Sequence, residues 1–106
     1  MEKVKLSERF AAISEFWSPV VAAELNGQQV KLAKFKGEFE WHSHSQEDEL
    51  FLVVNGSIRI DLRDGPIDLS AGEMLVVRRG VEHRPIAQSE AEVLLFEPAS
   101  TVRTGD

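Results

Sequence analysis

The amino-acid sequence contains no cysteine among its 106 residues, which excludes disulfide bonds and thiolate metal ligands. It also has no run approaching the roughly 18 apolar residues that a membrane-spanning helix needs. The N-terminal residues lack the apolar stretch of a signal peptide. We therefore expect a cytoplasmic protein without a membrane partner, in which any metal site uses imidazole and carboxylate ligands.

Basic side chains are scarce relative to acidic ones. The chain has 12 Lys and Arg against 18 Asp and Glu, so its formal net charge is -6, the wrong sign for neutralising nucleic-acid phosphates. Nucleic acid is therefore not an expected partner, and the acidic surface serves solubility. The length and the 42% apolar fraction suffice for a single core, so we expect one domain with one site.

The first part of the chain has a helical pattern. Between Ser7 and Trp17 four apolar residues recur at spacings of three and four: Phe10, Ile13, Phe16 and Trp17. Ser7 can cap the N-terminus and Pro19 prevents continuation, so the pattern predicts a short helix. We expect residues 1–19 to be a helical segment packed on a domain of residues 20–106. The helix aromatics are expected to pack against that domain or a second subunit.

The remaining sequence has the period of two that is typical of strands. Ser57 to Arg63 is the clearest case, because Ile58, Ile60 and Leu62 alternate with charged residues. Asn-Gly and Asp-Gly turn signals separate the short apolar segments. The predicted strands are residues 20–25, 28–36, 49–54, 57–63, 74–77 and 93–97. This pattern predicts an all-β sandwich, barrel or jelly roll that follows one short helix.

The candidate metal ligands are the histidines and one glutamate. His42 and His44 are two residues apart, so on a strand their imidazoles share a face. A turn after His44 could bring Glu49 beside them, although Glu47 and Asp48 lie in the same turn. His83 is distant in sequence, and only the fold could bring it near. Imidazole suits zinc, iron, copper or nickel, and a carboxylate adds affinity for manganese.

These residues resemble the two sequence motifs of the cupin superfamily. The first motif, H-x-H followed by glutamate and glycine, is matched by His42, His44, Glu49 and Gly56. The second is matched by Gly72, Gly80 and His83, with Arg78 in place of its proline and Ala87 in place of its asparagine. The chain is also similar to small bacterial cupins that are labelled mannose-6-phosphate isomerase-like.

The resemblance implies a cupin-type jelly-roll β-barrel, a homodimer and one divalent ion, Fe, Mn, Zn or Ni, on four residues. The implied ligands are His42, His44, Glu49 and His83. The register of the motif favours Glu49 over its acidic neighbours.

Four further residues are candidates for the pocket around the ion. Phe51 and Val53 share a strand face with Glu49, so we expect them to line an apolar cavity. Strict alternation places Glu40 in phase with His42, as a candidate general base, but a bulge near Gly37 would reverse that phase. Arg78 either holds a substrate carboxylate or phosphate or faces solvent.

An ion held by four protein ligands keeps open positions for water, dioxygen or a substrate. The first functional hypothesis is therefore an enzyme that oxygenates, isomerises or decarboxylates a small oxygen-rich compound. The alternative is a non-catalytic module that senses or carries a small ligand. The sequence does not distinguish these two hypotheses, because no acid–base or nucleophile pair outside the ligand set is identifiable.

Overall fold

A computed structural model of the chain describes all 106 residues as one helix followed by seven strands. The elements are α1 Leu6–Ala11, β1 Val20–Leu25, β2 Gln28–Glu38, β3 Glu49–Asn55, β4 Ser57–Leu62, β5 Gly65–Ser70, β6 Met74–Val77 and β7 His83–Pro98. All strand pairs are antiparallel, which confirms the predicted all-β jelly-roll barrel. The helix is not long and apolar enough to cross a lipid bilayer.

Strand β7 is the centre of the topology because it pairs with three other strands. Its first residues pair with β4, its last residues pair with β3, and β2 follows it along both halves. The strand order is β1-β2-β7-β3-β6, and the β4–β5 hairpin joins through β7. The sequence did not predict β5, since Gly65 and Pro66 interrupt its apolar pattern and it pairs with β4 alone.

The predicted extent of the helix is wrong, because the helix ends at Ala11. Lys5 occupies the N-cap position without a side-chain cap, so Ser7 does not have the expected role. Phe16 instead forms a β-bridge with Lys34, and Trp17 has a left-handed φ of 60°. The helix packs on the outer face of the sheet through an apolar cluster of Phe10, Ile13 and Leu32.

The barrel interior holds one continuous cluster of twelve buried apolar residues. They include Phe35 of β2, Val53 of β3, Ile60 of β4 and Val93 of β7, each on the inward face of its strand. Burial of such side chains drives the strands together without any covalent cross-link. One end of this core carries polar side chains, and there the candidate site lies.

The β2–β7 register shifts near Gly37, but Phe39 keeps the inward phase of Phe35, so the change of phase relative to His42 lies between Phe39 and His42. The β2–β7 register jumps from Phe35↔Ala91 to Gly37↔Ala87, and Gly37 has a φ of 83° that favours glycine. After the bulge Phe39 is half-buried and lines the interior cavity, while Glu40 is exposed. Glu40 is therefore out of phase with His42, as the alternative in the sequence analysis had it, but the phase changes after Phe39 and not at Gly37.

Candidate metal centre

Backbone pairing brings His83 to the first histidine pair. His42 and His83 form an isolated antiparallel bridge, in which each N–H donates to the other carbonyl at 3.0 and 2.9 Å. The backbone N–H of Gly80 donates to the His44 carbonyl at 2.7 Å, which ties the loop before His83 to the segment that carries the other two histidines. Two backbone contacts thus fix the loop that carries Arg78 in place of the motif proline.

The side chains of His42, His44, Glu49 and His83 converge on one point. One nitrogen or oxygen atom of each lies within 4.8 Å of the others. Oε1 of Glu49 is 3.4 Å from Nε2 of His44 and 3.5 Å from Nε2 of His83. Ligand atoms bonded at about 2.1 Å to one ion are roughly 3 to 4 Å apart, so the group has the size of a single-ion site.

The hydrogen-bonding state of these atoms fits a cation. Nε2 of His44, Nε2 of His83 and Oε1 of Glu49 are buried without a hydrogen-bond partner. Buried polar atoms are nearly always satisfied, so three converging exceptions indicate a missing partner. Nδ1 of His42 donates to the Glu40 carbonyl and Nδ1 of His83 donates to the Val81 carbonyl, both at 2.9 Å. These bonds leave the Nε2 lone pairs free to bind a metal.

The pKa shifts describe a site that holds negative charge on Glu49. Burial raises the pKa of Glu49, but attraction between its carboxylate and the imidazoles of His44 and His83, 3.4 and 3.5 Å away, outweighs burial and holds the pKa well below its usual range. The nearby carboxylate of Glu49 raises the pKa of His44, whereas burial and the neighbouring imidazoles lower the pKa of His42. A divalent cation would replace the protons that the carboxylate attracts to this cluster.

Glu97 and Lys31 complete the polar end of the interior, and the sequence analysis missed both. Glu97 is 3% exposed, and its Oε1 lies 3.2 Å from Nζ of Lys31. Burial and the adjacent Glu49 raise the pKa of Glu97 to about 8. A pattern signal existed, because Glu97 continues the buried alternation of Val93 and Leu95 along β7. A charged residue in the phase of a buried face points into the site.

A cavity opens from the ligand cluster toward solvent. It has about 410 Å³ of empty space when the open solvent at its mouth is included. His42 and Glu49 form part of its inner wall, together with the predicted Phe51. Val53, also predicted to line the cavity, lies in the apolar core instead.

Comparison with known proteins decides the family. The family described as "Cupin domain" matches residues 26–97, which contain all four converging side chains and most of the barrel. The chain belongs to the cupin family. Its four converging residues occupy the ligand positions that the resemblance implied.

This cupin has relatives of similar length. A solved cupin-2 domain protein from Shewanella frigidimarina NCIMB 400 is 44% identical over 90% of this chain and 93% of its own, with a TM-score of 0.88. Protein NMB1881 from Neisseria meningitidis is 33% identical over 92% of this chain and 100% of its own, with a TM-score of 0.84. The uncharacterized protein YdbB from Bacillus subtilis (strain 168) is 41% identical over 63 residues. These matched residues make up 58% of this chain, and they span 56% of that relative's length.

A more distant structure shares the fold. Hydroquinone 1,2-dioxygenase from Sphingomonas sp. TTNP3, solved with 4-hydroxybenzoate bound, is 18% identical over 96% of this chain and 77% of its own. Its TM-score is 0.78, so the barrel of this small cupin is present in a larger enzyme chain.

The cupin places Glu40 and Arg78 away from the cavity lining. The Glu40 side chain is exposed, and only its carbonyl contacts the cluster, through Nδ1 of His42. The Arg78 side chain is 73% exposed and lies 3.5 Å from Asp48. Asp48 also accepts a hydrogen bond from the backbone N–H of Arg79 at 2.8 Å, so its carboxylate joins the turn after His44 to the loop before His83.

The C-terminal residues hold the H-x-H loop from outside. The Asp106 carboxylate accepts hydrogen bonds from the backbone N–H and the hydroxyl of Ser45, at 2.8 and 2.7 Å. The backbone N–H of Asp106 donates to Ser43 at 3.1 Å. Gly105 lies so close that an added Cβ would be 2.4 Å from the Ser43 carbonyl oxygen. This strap, residues 102–106, contacts the residues on both sides of His44.

Proposed function

We propose that this cupin is a metal-dependent enzyme that oxygenates a small organic compound, with His42, His44, Glu49 and His83 holding one divalent ion. The observation that carries the proposal is the convergence of unsatisfied buried ligand atoms at the inner end of a cavity. Three imidazoles and one carboxylate suit iron, manganese, zinc or nickel. We expect the ion to have positions open toward the cavity, because two of its ligands line the wall.

Each part of the cavity has a role in this proposal. The bound ion would supply Lewis acidity and open coordination positions for oxygen ligands. The hydrogen bonds at Nδ1 of His42 and His83 orient both rings, and the aromatic wall excludes water from the inner end. Lys31 and Glu97 place the remaining polar groups beside Glu49.

One consideration favours oxygenation, and one keeps isomerisation as its competitor. Isomerisation needs a positioned acid and base, and among the cavity residues that are not candidate ligands Lys31 and Glu97 are the pair that could supply them, so isomerisation is the competing reaction. The consideration in favour is that the fold is shared, over 96% of this chain, with a protein named hydroquinone 1,2-dioxygenase.

Oxygen uptake by anaerobically iron-reconstituted protein tests this function. Catechols, hydroquinones, keto acids, thiols and mannose 6-phosphate form the substrate panel, and product is identified for each. We expect one compound class to consume oxygen in step with product formation, and Glu49→Gln to abolish it while Glu47→Gln does not. Full iron loading without turnover of any compound would contradict the proposal that the protein is an enzyme. It would favour the alternative, a non-catalytic module that binds a small ligand. Turnover of mannose 6-phosphate without oxygen would indicate isomerisation.

A further inference from the structure

One wall of the cavity is a continuous series of aromatic rings. Trp17 stacks with Phe35 at a centroid distance of 4.3 Å and with Phe39 at 5.0 Å, both within 25° of parallel. Phe39 in turn meets His42 edge-on at 5.3 Å. The series therefore reaches from the mouth side of the cavity to a candidate metal ligand, and it offers aromatic surface to a bound molecule.

Trp17 is held in place by all of its polar groups. Its backbone N–H donates to Lys34 and its indole N–H donates to Lys36, both at 2.9 Å. Its carbonyl accepts a hydrogen bond from the Arg103 guanidinium at 2.7 Å. The left-handed φ of 60° is costly for a bulky residue, and such strain is concentrated at binding sites. The ring is thus fixed before any ligand binds.

The cavity wall also contains two cationic side chains, of which only one lies within ion-pair distance of a carboxyl group. Lys31 lies deep and pairs with Glu97 at 3.2 Å. Arg103 is exposed, and its only hydrogen bond is to the neutral carbonyl of Trp17. Phe39 and Arg103 line both the cavity and the shallow outer groove, so the guanidinium lies at the mouth. Its remaining N–H groups form a fork that suits a carboxylate.

We propose that the cavity binds a planar aromatic carboxylate, with its ring along the Trp17–Phe39 wall and its carboxylate on Arg103. The opposite end of the ring then points toward His42 and Glu49. The inference rests on the proposed function, since it names the substrate class for the same metal centre. Arg103 and the aromatic wall are the specificity-determining groups, and Arg78, which is paired with Asp48, is not one.

The test is isothermal titration of zinc-loaded full-length protein with three matched ligands. Benzoate has both the flat ring and the charge, benzamide has the ring alone, and cyclohexanecarboxylate has the charge on a saturated ring. We expect Arg103→Gln to weaken benzoate about tenfold and to leave benzamide unchanged. Arg78→Gln is the matched control and should change neither ligand.

The same titration tests the contribution of the aromatic wall to binding separately from that of Arg103. We expect cyclohexanecarboxylate to bind about threefold more weakly than benzoate, and Phe39→Leu to remove that difference. Equal benzoate affinity in Arg103→Gln and Arg78→Gln, or no benzoate binding by protein that holds one zinc per chain, would overturn this inference and leave the metal centre standing. Failure of the protein to hold zinc would instead overturn the proposed function on which it rests.

Discussion

Glu49 is the residue on which the ligand cluster depends most, because two imidazoles approach the same carboxylate oxygen. We predict that Glu49→Gln lowers metal affinity by at least about tenfold, since a neutral amide removes the only negative charge among the four ligands. Glu47→Gln is the control, because Glu47 accepts a bond from the Ser100 hydroxyl outside the cluster. Competition with a metal-sensitive dye measures both affinities, and equal values would show that the motif register misassigned the carboxylate.

Glu97 gives the metal-free protein a pH dependence of known sign. Burial and Glu49 raise its pKa from 4.5 to about 8 in the folded state. Because the folded protein favours the protonated form of Glu97, the contribution of this residue to stability is fully present below its unfolded-state pKa of 4.5. The contribution is lost as the pH rises through the folded-state pKa of about 8. We predict that the free energy of unfolding of the wild type, minus that of Glu97→Gln, decreases between pH 4.5 and pH 8. Urea unfolding of both proteins measures it, and a constant difference would refute the assignment.

At the scale of elements, the C-terminal strap is predicted to support the H-x-H loop. Gly105→Ala places a methyl group 2.4 Å from the Ser43 carbonyl, and Gly105 also has a φ of 84°. Gly72→Ala is a matched control, because its φ is 86° but nothing lies within 4 Å of the added methyl. Both substitutions incur the backbone strain of about 1 kcal/mol. The clash at Gly105 should add roughly 1 to 3 kcal/mol.

Thermal unfolding and metal affinity of the two glycine variants separate these contributions. Gly105→Ala should unfold at the lower temperature and bind metal more weakly, because displacement of the strap frees the loop around His44. If the two variants behave alike, the close approach of Gly105 to Ser43 has no structural consequence and the strap does not support the site.

The sequence predicted those elements whose pattern is local. Alternation located β4 closely, and the Asn-Gly turn signal delimited β1. The spacing of His42 and His44 predicted a shared face, and the cupin resemblance added Glu49 and His83. These features depend on neighbouring residues or on a motif, so no tertiary information was needed to find them.

Features decided by tertiary contacts were not predicted. Trp17 continues a helical pattern, yet hydrogen bonds to β2 and Arg103 hold it in a left-handed conformation at the cavity. Arg103 is near the end of the chain, and only the folded structure brings it to the cavity mouth. The pairing of Lys31 with Glu97 depends on the β2–β7 register. The sequence contained one signal for this pair: Lys31 and Glu97 each occupy a position that continues the alternation of buried residues along their strand.

At the scale of the whole molecule, metal binding is predicted to weaken in acid. Protons compete with the ion for three imidazoles whose reference pKa is about 6.5. The pKa of His44 is raised, so competition there begins at higher pH, whereas the lowered pKa of His42 delays protonation of that ring. Dialysis across a pH series should therefore release metal as the pH falls through and below about 6.5. Full retention well below about pH 4 would contradict an imidazole site.

The claim at the centre of this account is that one divalent ion binds to all four converging side chains. Anomalous diffraction at the absorption edge of the metal found in purified protein tests it most directly. The account predicts one peak per chain, about 2.0 to 2.2 Å from Nε2 of His42 and His83, a ring nitrogen of His44 and a carboxylate oxygen of Glu49. A metal-containing crystal with its peak elsewhere, or with any of these residues outside bonding distance, would contradict it.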